Sequence, residues 1–269
     1  TSVAVSQLRQ TIEKVAPTNS RIMIFGPSGS GKELVARMIH KRSTRSVGPF
    51  VSLNAAAITP DRMEMALFGT EGTPGQPRRI GALEEAHRGI LYLDEIGEMP
   101  RETQNKILRV LVEQQFERIG GSKRVKVDVR IISSSAYNLE SLIAEGRFRE
   151  DLFHRLAVVP VKVPALAERR EDIPFLVDMF MRQVSEQAGI RQRKIGEDAM
   201  AVLQANDWPG NIRQLRNNIE RLMILAQGDS PDAPITAEML PQDLSDMLPK
   251  VSARNDTHIM TLPLREARE

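Results

Sequence analysis

The stretch RIMIFGPSGSGKELVARMIH, residues 21–40, decides how the rest of the chain is read. It opens with "RIMIF", a short apolar run with the length and composition of a buried strand. Its second half resumes helical spacing, with Leu34, Val35, Met38 and Ile39 recurring along one side. Between them lies Gly26-Pro27-Ser28-Gly29-Ser30-Gly31-Lys32-Glu33. The glycines allow a tight turn that aims successive backbone N–H groups at one anion, and the following helix adds its positive dipole end. Lys32 then reaches the outer phosphates of a nucleotide. Glycines and serines also build ordinary turns, but a lysine closing the pattern directly after a buried strand favours a phosphate loop. Glu33 occupies the position where a Ser or Thr hydroxyl normally holds magnesium, so Mg2+ is expected to depend on carboxylates elsewhere.

Those carboxylates stand at the end of a second apolar run, "ILYLDE" (90–95). Asp94 suits holding Mg2+ through water, and Glu95 suits polarising an attacking water beside a bound ATP. A strand capped by ordinary surface acids is the alternative, and the phosphate loop upstream argues against it.

"FVSLN" (50–54) and "VRIISS" (129–134) are further buried-strand candidates separated by helical stretches. Such alternation predicts a mostly parallel sheet covered on both faces, an α/β unit over 1–165. Val5, Leu8, Ile12 and Val15 give residues 3–15 helical spacing before Pro17. From Leu166 the strand signal fades and three helices are expected, over 171–189, 196–207 and 211–228. Two of them are closed by Gly. They predict a small all-α lid over 166–236, followed by a linker and the start of a further region over 237–269.

Composition narrows the function. A net charge of +2 gives no bulk electrostatic argument for nucleic acid or membrane binding. The absence of cysteine excludes disulfides, thiolate metal sites and a cysteine nucleophile. With no apolar run of membrane length, a cytoplasmic location is expected. The missing initiator Met and the ending "TLPLREARE" suggest a piece of a longer protein.

Three arginines remain. "GRFREDLFHRL" (146–156) carries Arg149 and Arg155 among the anchors Phe148, Leu152 and Phe153. Arginine offers a planar, permanent charge to a phosphoryl transition state. Arg213 follows "WPGN" in the first turn of a helix and could bridge lid and nucleotide. Spacing alone leaves all three equally compatible with solvated helix faces.

The ordered blocks "GPSGSGKELVARMIH", "PFVSLNAAAI", "ALFG", "LYLDEIGEMP", "KILRVLVEQQFERIGG", "VDVRII", "RFREDLFHRL" and "WPGNIRQLRNNIERL" resemble bacterial enhancer-binding proteins. These are AAA+ ATPases that activate RNA polymerase carrying sigma-54. The resemblance covers about residues 1–240. It implies a P-loop AAA+ fold with ATP or ADP and Mg2+ held between the subunits of a homo-oligomer, from a dimer to a hexamer or heptamer ring. It also implies that Arg149 and Arg155 are fingers acting in trans, that Arg213 is sensor II, and that Asn54 restrains the catalytic Glu95.

The chain departs from the family twice. After "LFG" the family carries GAFTGA, whose Phe-Thr pair grips sigma-54. Here the segment reads "TEGTPGQPRRIGALEEA", and its Gly and Pro content suggests a mobile loop. The sensor I strand, usually ending in "AATN", here reads "SSSA", with Ala136 replacing the asparagine and Ser134 or Ser135 as substitutes facing the γ-phosphate. Both departures resemble a two-component branch of the family concerned with nitrogen regulation. Its members have an N-terminal receiver that a sensor kinase phosphorylates and a C-terminal helix-turn-helix that binds DNA. Two functions follow: an ATP-hydrolysing regulatory ring, or a nucleotide-binding assembly module acting without sigma-54. A P-loop kinase for a small metabolite lacks an acceptor site in this sequence.

Overall fold

The computed structural model describes residues 2–226 and 233–241. Along the chain run α1 (Val3–Val15), β1 (Ile22–Phe25), α2 (Lys32–Arg42), β2 (Phe50–Asn54), α3 (Pro60–Phe68), α4 (Ala82–Glu85) and β3 (Ile90–Asp94). Then come α5 (Arg101–Glu113), β4 (Gln115–Glu117), β5 (Arg124–Lys126), β6 (Arg130–Ser135), α6 (Leu139–Ala144), α7 (Glu150–Leu156) and β7 (Val159–Lys162). The expected parallel sheet forms in the order β2-β3-β6-β1-β7, while β4 and β5 make a separate antiparallel pair.

Strand periodicity sorts the core into two layers. Met23, Leu91, Leu93 and Ile131 face one side, packing with residues of α3, α5 and α7. Their neighbours Ile22, Ile24, Ile90, Tyr92 and Ile132 face the other, against α1 and α2. The strand β7, absent from the sequence expectation, contains Pro160. Proline cannot donate to a ladder on both sides, and β7 occupies a sheet edge where it need not. Its sequence therefore lacks the signal of a central strand.

Helix α1 is fastened at both ends. The Ser2 amide and hydroxyl donate to the carboxylate of Asp172, at 2.7 and 2.6 Å. At the other end buried Arg130 donates to the carbonyls of Ser20, Ala16 and Val15 at 2.8–2.9 Å.

Beyond β7 a 3-10 run over Leu166–Asp172 leads into α8 (Ile173–Ala188), α9 (Glu197–Ala205) and α10 (Asn211–Leu225). The three expected helices are present. They enclose their own core around Trp208, which is fully buried and donates its indole N–H to the Leu203 carbonyl at 2.7 Å. Gly189 closes α8 in the left-handed conformation, as expected. The glycine expected to close the last helix, Gly228, lies outside the described residues, as do the "TLPLREARE" end and nearly all of the polar linker.

The segment after α3 corrects the expectation of a mobile loop. Thr70 and Arg79 exchange both backbone hydrogen bonds, and so do Thr73 and Gln76. Pro74 and Gly75 form the tip, with Gly75 at φ 90 supplying the left-handed residue of a tight turn. Beneath it Arg118 donates two hydrogen bonds to Glu84, at 2.7 and 2.8 Å, and one to Glu71 at 3.0 Å. The two carboxylates hold this guanidinium's pKa above its ordinary value. Gly and Pro here specify a turn type and not looseness.

Candidate functional site

The phosphate loop leaves β1 at the carboxyl edge of the sheet and enters α2 through Gly31, at φ 102. Each carbonyl from residue 26 to residue 30 accepts from a defined donor. The Lys32 ammonium takes those of Gly26 at 2.9 Å and Pro27 at 3.3 Å. The lid takes the next three: Asn211 Nδ2 donates to Ser28 at 3.0 Å, the Arg213 backbone N–H to Gly29 at 3.3 Å, and Arg169 Nη2 to Ser30 at 2.9 Å. Engaging these carbonyls fixes their peptide planes, and with them the amides of the loop that leads into α2. Glycine is required where the lid comes close. A Cβ on Gly29 would lie 2.3 Å from the Gly210 carbonyl oxygen, and φ there is +74. On Gly26 a Cβ would meet the Val163 carbonyl at 2.7 Å.

The acidic pair sits beside this loop. Glu95 Oε1 lies 3.1 Å from the Lys32 ammonium, which is only 5% exposed. Its Oε2 accepts from the Ala136 backbone N–H at 3.1 Å. Glu95 itself adopts φ 52, ψ 52, a left-handed conformation uncommon outside glycine and a mark of local constraint. Asp94 Oδ1 accepts from the Tyr92 hydroxyl at 3.0 Å and from the Ser134 hydroxyl. Burial pushes the Tyr92 phenol well above its ordinary pKa. Asn54 ends β2 in register with Asp94, and its Oδ1 accepts from the Ala56 N–H at 2.9 Å. The Asn54 side-chain oxygen is thus engaged in its own turn, while Glu95 is held by Lys32 and Ala136.

Several expected residues are placed differently. The Glu33 carboxylate lies on the solvent side, paired with Arg37 at 2.7 Å, so it offers a nucleotide only its backbone. Ser135 exchanges hydrogen bonds with the Tyr137 backbone, and Ser134 turns to the acidic pair. Arg149 is bound to Asp151 and Asn105, and its neighbour Arg155 is exposed on α7. Neither is joined to the chain's own phosphate loop. Arg213 is exposed, with Nη1 3.5 Å from Ser28 Oγ.

Sequence reasoning missed Arg169, Asn211 and Gln104. Buried Gln104 donates to the Met99 and Arg147 carbonyls and accepts the Arg149 N–H at 2.9 Å, which fixes the start of α7. The "WPGN" turn carried a signal for Asn211, whereas Arg169 in "ERRED" looks like one charge in a solvated run.

Among the described residues no cluster of three or more His, Cys, Asp or Glu forms an all-protein metal cage. Asp94 still fits Mg2+, which commonly takes one or two carboxylates together with waters and phosphate oxygens. No helix among the described residues is long and apolar enough to cross a membrane.

A phosphate loop, an acidic strand end and a helical lid gripping the loop define a P-loop nucleotide-binding domain of AAA+ type. Residues 1–162 match the Sigma-54 interaction domain family and residues 167–257 the AAA+ ATPase lid domain family. The chain belongs to the Sigma-54 interaction domain family. It is 65% identical over its whole length to the nitrogen assimilation regulatory protein NtrX of Azorhizobium caulinodans, of which it covers 59%. It is 43% identical over 244 residues to the transcriptional regulator NtrC of Escherichia coli K12, covering 90% of this chain and 50% of that protein. The crystal structure of NtrX from Brucella abortus in complex with ADP superposes with a TM-score of 0.89 at 71% identity, over 98% of this chain and 58% of that one. The complex of the same protein with ATP gives 0.86 at 73% identity, over 91% and 56%. The chain thus spans somewhat over half the length of these relatives, and the expected likeness to the nitrogen-regulatory branch is met by its NtrX members.

Proposed function

We propose that this chain is the ATP-binding and ATP-hydrolysing engine of an NtrX-like response regulator, active only when assembled with copies of itself. The observation that carries the proposal is the engagement of every carbonyl from 26 to 30, with Lys32 held against Glu95. The ADP and ATP complexes of NtrX from Brucella abortus support the choice of ligand. On binding, the Lys32 ammonium exchanges Glu95 for the outer phosphate oxygens, and Glu95 is released to orient and polarise water. Asp94 would hold Mg2+, which when bound neutralises charge on the phosphates. Arg149 and Arg155, which make no contact with their own phosphate loop, serve a neighbour's nucleotide in this reading, and Arg213 closes the lid. In this reading Asn54 takes Glu95 once Lys32 lets go.

By this reading the partners are further copies of the chain, a receiver domain answering to a sensor kinase, and a DNA-binding domain, all supplied by the longer protein. RNA polymerase is reached without the GAFTGA grip on sigma-54, because the short hairpin around Pro74 and Gly75 carries no Phe-Thr pair. Robust open-complex formation with sigma-54 polymerase by the full-length protein would defeat that part.

Ala136 at the sensor I position favours the second reading, an assembly module that binds nucleotide with little turnover. ATPase rate measured against protein concentration separates the two. A rate that rises with concentration and is abolished by Glu95→Gln and by Arg149→Ala supports the engine. Tight binding without turnover supports the module.

A further inference from the structure

β6 is the middle strand of a parallel sheet, a place that normally takes an unbroken apolar run. Here it ends in Ser133, Ser134 and Ser135, all buried at 0–1% exposure. A buried hydroxyl ordinarily takes a partner; Ser133 Oγ has none, and the directions of the other two are informative. Ser135 turns to the backbone of Tyr137, a local turn contact. Ser134 reaches across to β3, where it donates to Asp94 Oδ1 and accepts the Glu95 N–H at 3.3 Å. It is a single hydroxyl joined to both members of the acidic pair.

We infer that Ser134 is a positioning residue for the metal-holding carboxylate, fixing the Asp94 rotamer and the Glu95 backbone together from the neighbouring strand. The inference rests on the nucleotide-binding reading above and adds a residue to it. The "AATN" pattern of the resembled family has a methyl group at 134 and an asparagine at 136; this chain has the hydroxyl at 134 and a methyl at 136. The connection between β6 and the acidic pair is thus carried by Ser134 Oγ and by the Ala136 N–H on Glu95 Oε2. Ser134 and the Tyr92 hydroxyl both donate to Oδ1, so Oδ2 would be the oxygen left for hydrated Mg2+. Two adjacent half-buried groups, Asp94 and the strained Glu95, are set by one side chain that sequence inspection would assign to the γ-phosphate.

The test is a calorimetric titration of ADP and of a non-hydrolysable ATP analogue, in Mg2+ and in EDTA, for the parent, Ser134→Ala and Ser134→Thr, with thermal melts of each apo protein. The Mg2+-dependent gain in affinity is expected to fall about tenfold in Ser134→Ala, the factor attached to one hydrogen bond on a charged group. Affinity in EDTA should be unchanged, and Ser134→Thr, which keeps the hydroxyl, should recover the gain. The inference is overturned if Ser134→Ala keeps the parent's gain. It is equally overturned if Ser134→Ala loses affinity alike in Mg2+ and EDTA with a lowered melt, or if the parent shows no gain at all. Because the readout is binding, a chain that shows the Mg2+ split but never hydrolyses ATP would refute the engine and keep this role for Ser134.

Discussion

Replacing Glu95 by glutamine should weaken the empty protein and tighten its hold on nucleotide by the same free energy. Lys32 and Glu95 stand 3.1 Å apart, with side-chain exposures of 5% and 16%. At an effective dielectric of about 20 that separation corresponds to roughly 5 kcal/mol of attraction. Desolvation of the pair opposes it, and the partial exposure of Glu95 together with a glutamine still able to accept from Lys32 reduces the loss to about 2 kcal/mol. In the exchange proposed above, phosphate oxygens take the place of Glu95 on Lys32, so the penalty falls on the apo state alone. Melting of apo Glu95→Gln is expected about 4–8 °C below the parent. ADP or a non-hydrolysable ATP analogue should bind roughly 30-fold more tightly. Differential scanning and titration calorimetry on the same preparation measure both arms of the cycle. An unchanged apo melt together with unchanged or weaker affinity would show that Lys32 does not exchange Glu95 for phosphate, and the argument would fall.

Gly29→Ala should raise the nucleotide Kd at least tenfold, about 1.4 kcal/mol, since its Cβ would meet the Gly210 oxygen at 2.3 Å and push α10 from the loop. Gly120→Ala, at φ +78 with open space around it, is the control for backbone strain alone and should leave binding intact. Arg118→Leu leaves Glu84 and Glu71 together without their cation. It should cost about 3 kcal/mol and open the segment 70–80 to limited proteolysis at unchanged nucleotide affinity; equal protease resistance would contradict the anchoring role. Hydrogen bonds from Arg149 hold the Asp151 carboxyl down at about 2. A depressed folded value stabilises above the ordinary carboxylate pKa and is lost as pH falls through about 2. In Arg149→Ala the carboxyl should titrate near its ordinary value by NMR, and ATPase activity should vanish while binding remains.

The phosphate loop, the acidic strand end, the parallel sheet and the three lid helices were legible because each is a local pattern. A strand's apolar run, a helix's spacing and a glycine turn closed by lysine are written within a dozen consecutive residues. The edge strand β7 escaped because Pro160 breaks the signal that a buried strand shows. The loop around Pro74 and Gly75 was misread because composition distinguishes a turn from a strand but not an anchored turn from a loose one; Arg118, distant in sequence, supplies the anchor.

Sequence by itself determined that this chain folds as a P-loop AAA+ unit with a lid and that Lys32 and the acidic strand end with Asp94 and Glu95 belong to one site. Only the tertiary structure decided who holds them: Arg169, Asn211 and the Arg213 amide on the loop carbonyls, Lys32 on Glu95, Ser134 on Asp94. Those contacts join residues on different elements, and a hydroxyl or guanidinium carries no sequence mark of the direction it takes. Most buried polar groups then find a partner across the fold, although Ser30 Oγ, Ser133 Oγ and Arg169 Nε do not.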